Sequence, residues 1–282
     1  MTEAVPRRYR PVKLLPSVIT ILALSAGLSA VKFALDGKLE IALAAIGAAA
    51  VLDTLDGRIA RLLDATSKMG AELDSLSDAI SFGVAPGLML YLTLLEGSNS
   101  GWIIALIYVV SIVLRLARFN TILEDDNRPA YERDYFVGVP SPAGALVALL
   151  PITVYEEFGS GWWSDFYVVC AWTLGSAALI VSRVPTLAMK SISVPPRMAA
   201  GLLVLVALAG AALVTYPLVL LMVLVIAYLA HIPFAVRSQR WVAARPEEWE
   251  SKPAERRAVR RAARRAPRPR RPRRRITSAR LR

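Results

Sequence analysis

Thiol and imidazole are almost missing from this chain. Among 282 residues there is one cysteine, Cys170, so an intrachain disulfide is excluded and the redox compartment stays unread. The one histidine, His231, ends an apolar block and reads as an interfacial residue rather than a metal ligand. Acidic side chains are nearly absent from the later apolar blocks. A cation transporter would scatter carboxylates along a path through several spans, so that class is disfavoured. No residue stands out as a covalent nucleophile.

Apolar length is what the chain has in excess: 55% hydrophobic residues and a mean hydropathy of +0.47. The apolar blocks are long enough to cross about 30 Å of hydrocarbon, which takes roughly 20 helical residues. The pattern predicts an all-α, polytopic integral membrane bundle of about eight spans, near residues 15–35, 39–62, 74–95, 101–121, 141–158, 164–182, 197–214 and 216–235. The first run follows Arg7, Arg8, Arg10 and Lys13, as a signal peptide would. It is long, lacks a clear small-residue cleavage site and leads into another span, so it reads as a retained helix. Only Tyr216 and Pro217 separate the last two spans.

With the N-terminus in the cytoplasm, the inner ends and loops collect Arg58, Arg61, Lys68, Arg115, Arg118, Arg128, Arg133, Arg183, Lys190 and Arg197. The outer turns hold Lys38, with Lys32 nearby, and the acidic Glu96, Glu156, Glu157 and Asp165. This positive-inside pattern predicts cytoplasmic N- and C-termini. The expected organisation is a cytoplasmic segment 1–14, a membrane domain 15–235 and an Arg-rich, largely disordered cytoplasmic tail 236–282. From Arg237 onward there are 18 Lys/Arg and 4 Glu, a net charge of +14; the whole chain is +12, leaving −2 for the rest. Arginines beside a last span fit anionic lipid headgroups, each worth about 1 kcal/mol near the surface. A solvated tail that only fixes topology is the plain alternative. No aromatic residues interleave with the arginines of the run "RRAVRRAARRAPRPRRPRRR", so nucleic acid is the disfavoured partner.

Against this background, four carboxylates stand out in "LDTLDGRIARLLDATSKMGAELDSLSDAISFG". Asp53 and Asp56 are i, i+3 and Asp74 and Asp78 are i, i+4, so each pair shares a helical face. The intervening stretch is long enough for the chain to return antiparallel. Facing pairs would form a cage of hard oxygen ligands suited to Mg²⁺, Mn²⁺ or Ca²⁺ rather than zinc. Two such ions could grip a diphosphate. Gly57 and Gly70 would let a bulky substrate approach the backbone, Arg61 could meet a phosphate, and Ser67 offers a hydroxyl. Asp64 lies off the pattern and reads as a cap or an interfacial partner of an arginine.

The order Asp53, Asp56, Gly57, Ala60, Arg61, Gly70, Asp74, Asp78 resembles the signature of the CDP-alcohol phosphatidyltransferase family. The resemblance implies a membrane-embedded enzyme that moves a phosphatidyl group from CDP-diacylglycerol to an alcohol and releases CMP. It implies a divalent-metal pair, Mg²⁺ or Mn²⁺, on Asp53, Asp56, Asp74 and Asp78, with Asp78 also the general base. It places the nucleotide against Gly57, Ala60, Arg61, Ser67 and Gly70, and against Ser17 and Thr20 of the first helix; the family often has Asn where this chain has Ser17. A homodimer is implied as well; the charge pattern puts the motif at the cytoplasmic ends of the second and third helices, so the active site is expected to face the cytoplasm from the cell (inner) membrane.

Further on, "DAISFGVAPG", "RLARFNT" and "YFVGVPSPAGA" resemble the phosphatidylserine synthase branch, which implies L-serine as acceptor. A serine carboxylate suits a bidentate guanidinium, and Arg118, Asn120 and Arg115 are the candidates. Other family members take glycerol 3-phosphate, inositol phosphate or choline. A phosphorylated acceptor calls for a denser basic pocket than loops that mix Arg128 with Glu124, Asp125 and Asp126. Pro140 and Pro142 are expected to set the start of the fifth helix, and Gly83 and Gly87 to admit close helix approach.

Overall fold

The apolar runs become helices wherever caps and prolines allow. The computed structural model describes residues 14–123, 135–187 and 199–245. The order is α1 (Leu15–Leu35), α2 (Leu39–Leu62), α3 (Lys68–Asp78), a π-helical turn (Ala79–Val84), α4 (Ala85–Leu94) and α5 (Asn99–Leu123). Then come β1 (Tyr135–Val137), α6 (Ser141–Ala148), α7 (Leu150–Phe158), α8 (Phe166–Val181), β2 (Pro185–Leu187), α9 (Ala199–Thr215) and α10 (Pro217–Ala243). Among the described residues, four stretches are long and apolar enough to cross a membrane: Leu15–Leu35, Lys68–Leu94, Asn99–Thr121 and Pro217–Ala243. Phe166–Val181 and Leu203–Thr215 are shorter apolar helices.

Pro16, Thr20, Ala23, Gly27, Ala30 and Ala34 are buried at spacings of three or four residues, so one face of α1 is almost entirely small. α1 packs along α2, where Ala42, Ile46 and Ala49 are buried, and its Gly27 lies against Ser81, because small side chains let membrane helices approach closely. Phe82, Met89, Leu90, Tyr108, Ile112 and Ile152 complete the core. The expected close approach at Gly83 and Gly87 is present. A Cβ on Gly83 would lie 3.2 Å from Ile112, and one on Gly87 would lie 2.8 Å from Val109.

Two prolines leave helical carbonyls without their usual donors, and aromatic side chains supply replacements. Pro86 has no N–H for the carbonyl of Phe82, four residues earlier; Tyr108 donates its hydroxyl there instead, at 2.7 Å. Pro151 does the same to Val147, whose carbonyl accepts from Trp172 Nε1 at 2.8 Å. The first of these sits in the π turn that directly follows Asp78, where the helix is re-aimed towards α4. Tyr108→Phe is therefore expected to lose about 1–3 kcal/mol, the cost of orphaning a buried polar group, measured as a fall in melting temperature in detergent.

The structure departs from the sequence expectations at three boundaries. The third span starts at Lys68 rather than 74, because Ser67 caps it by accepting from the Gly70 N–H at 3.0 Å. α10 runs to Ala243 rather than stopping at 235: the apolar run ends there, but the helix continues with Arg237 and Arg240 exposed and Val242 buried. The fifth span is interrupted between α6 and α7, next to Pro151. The bundle is all-α as expected, with a short antiparallel pair between its helices, β1 and β2, in which Phe136 lies opposite Thr186. Gly138, with φ +82°, turns the chain out of β1, and its N–H donates to the Val184 carbonyl at 3.0 Å. The break at Tyr216 and Pro217 falls where expected.

Hydrogen bonds gather the N-terminal ends of α1 and α6 with the C-terminal ends of α2, α3, α5 and α8 at one end of the bundle. The opposite end carries edge-on ring pairs, Tyr91 with Trp102 and Trp162 with Trp163, as an interfacial aromatic belt does. There Lys32, 2.6 Å from Asp36, holds that carboxyl below its usual range. The tail beyond residue 245, Arg7, Arg8, Arg10 and Lys13, the loop with Glu124, Asp125, Asp126, Arg128 and Arg133, and the cations Lys190 and Arg197 lie outside the described residues.

Candidate metal and acceptor site

The turn between α2 and α3 brings the carboxylates together. α2 ends at Leu62 with Leu63 as its C-cap, and Asp64 adopts φ +47°. The Ala65 N–H then donates back to the Ala60 carbonyl at 2.9 Å, and that of Asp64 to Arg61 at 3.5 Å. This left-handed helix end reverses the chain. Asp64 is thus the turn residue, as its position off the carboxylate pattern suggested.

One carboxylate oxygen from each of Asp53, Asp56 and Asp74 lies within 4.8 Å of the others. Three hard anionic oxygens converging in this way can hold a divalent cation, and like charges so close are costly without one. Asp78 stands beside Asp53. Its Oδ2 accepts from the hydroxyl of Ser141 at 2.6 Å, and Ser141 Oγ in turn accepts from Arg115 Nη1 at 3.0 Å. On the other side of the cluster, Thr20 donates to Asp56 Oδ2 at 2.6 Å, tying α1 to this buried carboxylate. Ser77 holds the backbone of the same turn, donating to the Thr20 carbonyl at 3.3 Å.

The remaining expected residues divide into two sets. Ser17 lies on α1 one turn before Thr20. Gly57 is half-buried with no described atom within 4 Å of where a Cβ would be, so the face of α2 beside Asp56 is open. Arg61 is exposed at the end of α2, Ala60 is engaged through its carbonyl, and Ser67 and Gly70 form the cap of α3. Of the three acceptor candidates, only Arg115 reaches the carboxylates, through Ser141. Arg118 donates to the Val181 carbonyl at 2.7 Å, anchoring α5 to the end of α8. Asn120 donates to Ser75 at 3.0 Å, next to Asp74. Arg115 is 7% exposed, and its Nε lacks a hydrogen-bond partner among the described residues.

A family model for CDP-alcohol phosphatidyltransferases matches residues 13–184, from the start of α1 to the edge of β2. The chain belongs to the CDP-alcohol phosphatidyltransferase family. The CDP-diacylglycerol–serine O-phosphatidyltransferase of Mycobacterium tuberculosis (strain ATCC 25618 / H37Rv) is 51% identical over 257 residues, 90% of each chain. That of Mycobacterium leprae (strain TN) is 48% identical over 249 residues, covering 88% of this chain and 83% of the relative. An archaetidylserine synthase from Methanothermobacter thermautotrophicus is 30% identical over 183 residues, 64% of this chain and 69% of its own length.

In this CDP-alcohol phosphatidyltransferase, sequence reasoning passed over Ser141, Ser77 and Ser75. The signal for Ser141 was present: a hydroxyl between two prolines at the start of a helix. Ser75 and Ser77 sit within the aspartate motif itself, but hydroxyls on a helix facing other helices give no periodic signal.

Proposed function

We propose that this chain transfers the phosphatidyl group of CDP-diacylglycerol to the hydroxyl of L-serine, forming phosphatidylserine and releasing CMP. The observation that carries this reading is the convergence of the aspartates at one end of an apolar bundle, with a buried arginine linked to Asp78. Identity of 51% over nine-tenths of the chain to an enzyme of that name supports it. Two divalent cations, Mg²⁺ or Mn²⁺, on Asp53, Asp56, Asp74 and Asp78 would neutralise the diphosphate and stabilise the charge of displacement at phosphorus.

The chain's own groups do the rest. Thr20 fixes Asp56. The open face at Gly57 admits the nucleotide, with Ser17, Ala60, Arg61, Ser67 and Gly70 around it. Arg115 offers its remaining N–H groups to the serine carboxylate, and Arg118 and Asn120 brace the same end of α5 as the other acceptor residues. Asp78 takes the proton of the serine hydroxyl, whose oxygen bonds to the phosphorus carrying diacylglycerol. The bond from that phosphorus to the bridging oxygen breaks and CMP leaves. An aspartate of ordinary pKa, about 3.9, is a weak base. Positioning makes the transfer effective, a contribution of about 10²–10⁴ in rate.

In this reading eight spans cross the cell (inner) membrane with both termini and the active site cytoplasmic. Residues 15–235 form the catalytic domain, and the Arg-rich tail 236–282 lies on anionic headgroups. The enzyme acts as a homodimer, as the family resemblance implies. The test is an acceptor screen in detergent with CDP-diacylglycerol and Mn²⁺ or Mg²⁺, following CMP and lipid product. Serine is expected to give phosphatidylserine in a metal-dependent way. Product with glycerol 3-phosphate, inositol phosphate or choline instead would overturn the acceptor assignment.

A further inference from the structure

We propose that Ser141 is a positioning residue for the acceptor: it fixes which oxygen of Asp78 faces serine and sets that oxygen's distance from the Arg115 guanidinium. This rests on the serine-transfer reading above. The direction of the hydrogen bonds follows from the groups themselves. A guanidinium only donates, so Ser141 Oγ accepts from Arg115 Nη1 at 3.0 Å. The single hydroxyl proton of Ser141 is therefore committed to Asp78 Oδ2 at 2.6 Å. Ser141 thereby fixes the rotation of the Asp78 carboxylate, and with it where each oxygen stands relative to Asp53 and to the acceptor.

Ser141 is well placed to act as a ruler. It is 1% exposed, and prolines on both sides restrict its backbone. Pro140, at φ −55° and ψ 145°, starts α6, and its carbonyl accepts from the Gly144 N–H at 2.8 Å. A serine side chain that only capped α6 would turn back to N–H groups of the first turn. Here the hydroxyl instead crosses to a residue 63 positions away in sequence. Serine carries its carboxylate and hydroxyl a fixed three bonds apart. A rigid Arg115–Ser141–Asp78 chain holds the groups that receive them at a matching separation.

The experiment compares wild type, Ser141→Ala and Ser141→Thr in detergent, varying serine and CDP-diacylglycerol independently and recording the melting temperature. Misplacing a reacting group by about 1 Å costs about 10²-fold, so Ser141→Ala is expected to lose about 10²-fold in kcat/KM for serine. Its KM for CDP-diacylglycerol should stay within about twofold of wild type. Ser141→Thr, which keeps the hydroxyl, should recover at least about tenfold of that loss. An Ala variant within threefold of wild type for serine overturns the proposal. So does a loss matched by an equal rise in KM for CDP-diacylglycerol, or a folded Thr variant as slow as Ala. Wild type that makes no phosphatidylserine in the same assay would overturn the parent reading before any variant is compared.

Discussion

Asp78→Asn is expected to leave a folded protein that makes almost no lipid product. The change preserves the shape of the side chain, and its amide oxygen can still accept from Ser141. It removes one anionic ligand and the group proposed to take the acceptor proton. Loss of a positioned base alone costs about 10²–10⁴ in rate, so turnover should fall to about a thousandth or less once the ligand charge is also gone. Nucleotide binding should survive in large part, since Asp53, Asp56 and Asp74 are untouched. Product formation and CDP binding measured on the same preparation check this. Substantial turnover in the variant would remove Asp78 from the base role.

Gly27→Val should unseat the site from a distance. A Cβ at Gly27 would lie 2.5 Å from Ser81 Oγ and 2.7 Å from Ser81 Cα. The second contact is to backbone, so no rotamer change relieves it, and α1 must move off the π turn. That turn begins directly after Asp78, and Thr20 lies two helical turns before Gly27, so the shift pulls Thr20 from Asp56. Overpacking typically costs about 1–3 kcal/mol, and a backbone obstacle puts this variant at the upper end. The expected results are a clear drop in melting temperature in detergent and a collapse of turnover. Gly47→Ala on α2 is the control, because a Cβ there meets no described atom within 4 Å. Replacing that mid-helix glycine should be neutral or stabilising by up to about 1 kcal/mol. Equal stability of Gly27→Val and wild type would contradict the packing described for α1.

Much of this architecture was legible because membrane helices announce themselves through length. The limits of α1 and α2, the break at Tyr216 and the carboxylate pairs all follow from apolar runs, prolines and helical spacing. The misjudged boundaries share a cause: hydropathy marks where a segment stops being greasy, not where it stops being helical. Lys68 to Leu73 and Arg237 to Ala243 are polar or amphipathic, yet a cap at Ser67 and continued packing at Val242 keep them helical. The β1–β2 pairing joins segments about 50 residues apart and has no local signature.

Within the candidate site, the convergence of the aspartates was legible and the hydrogen bonds that aim them were not. Thr20 and Ser141 reach Asp56 and Asp78 from helices distant in sequence, and only the tertiary fold brings them there. The arginines show the same limit. Arg115 and Arg118 are one turn apart on α5, and by sequence both are acceptor candidates. In the structure Arg118 is tied to the backbone at the end of α8, while Arg115 points to Asp78 through Ser141.

The most direct test of the central claim is a Mn²⁺ titration of the purified protein, followed by electron paramagnetic resonance with and without CDP. The account predicts two bound ions per chain, tightened by the nucleotide and lost in Asp56→Ala. Stoichiometric binding that ignores both CDP and the loss of Asp56, or no binding at all, would contradict it.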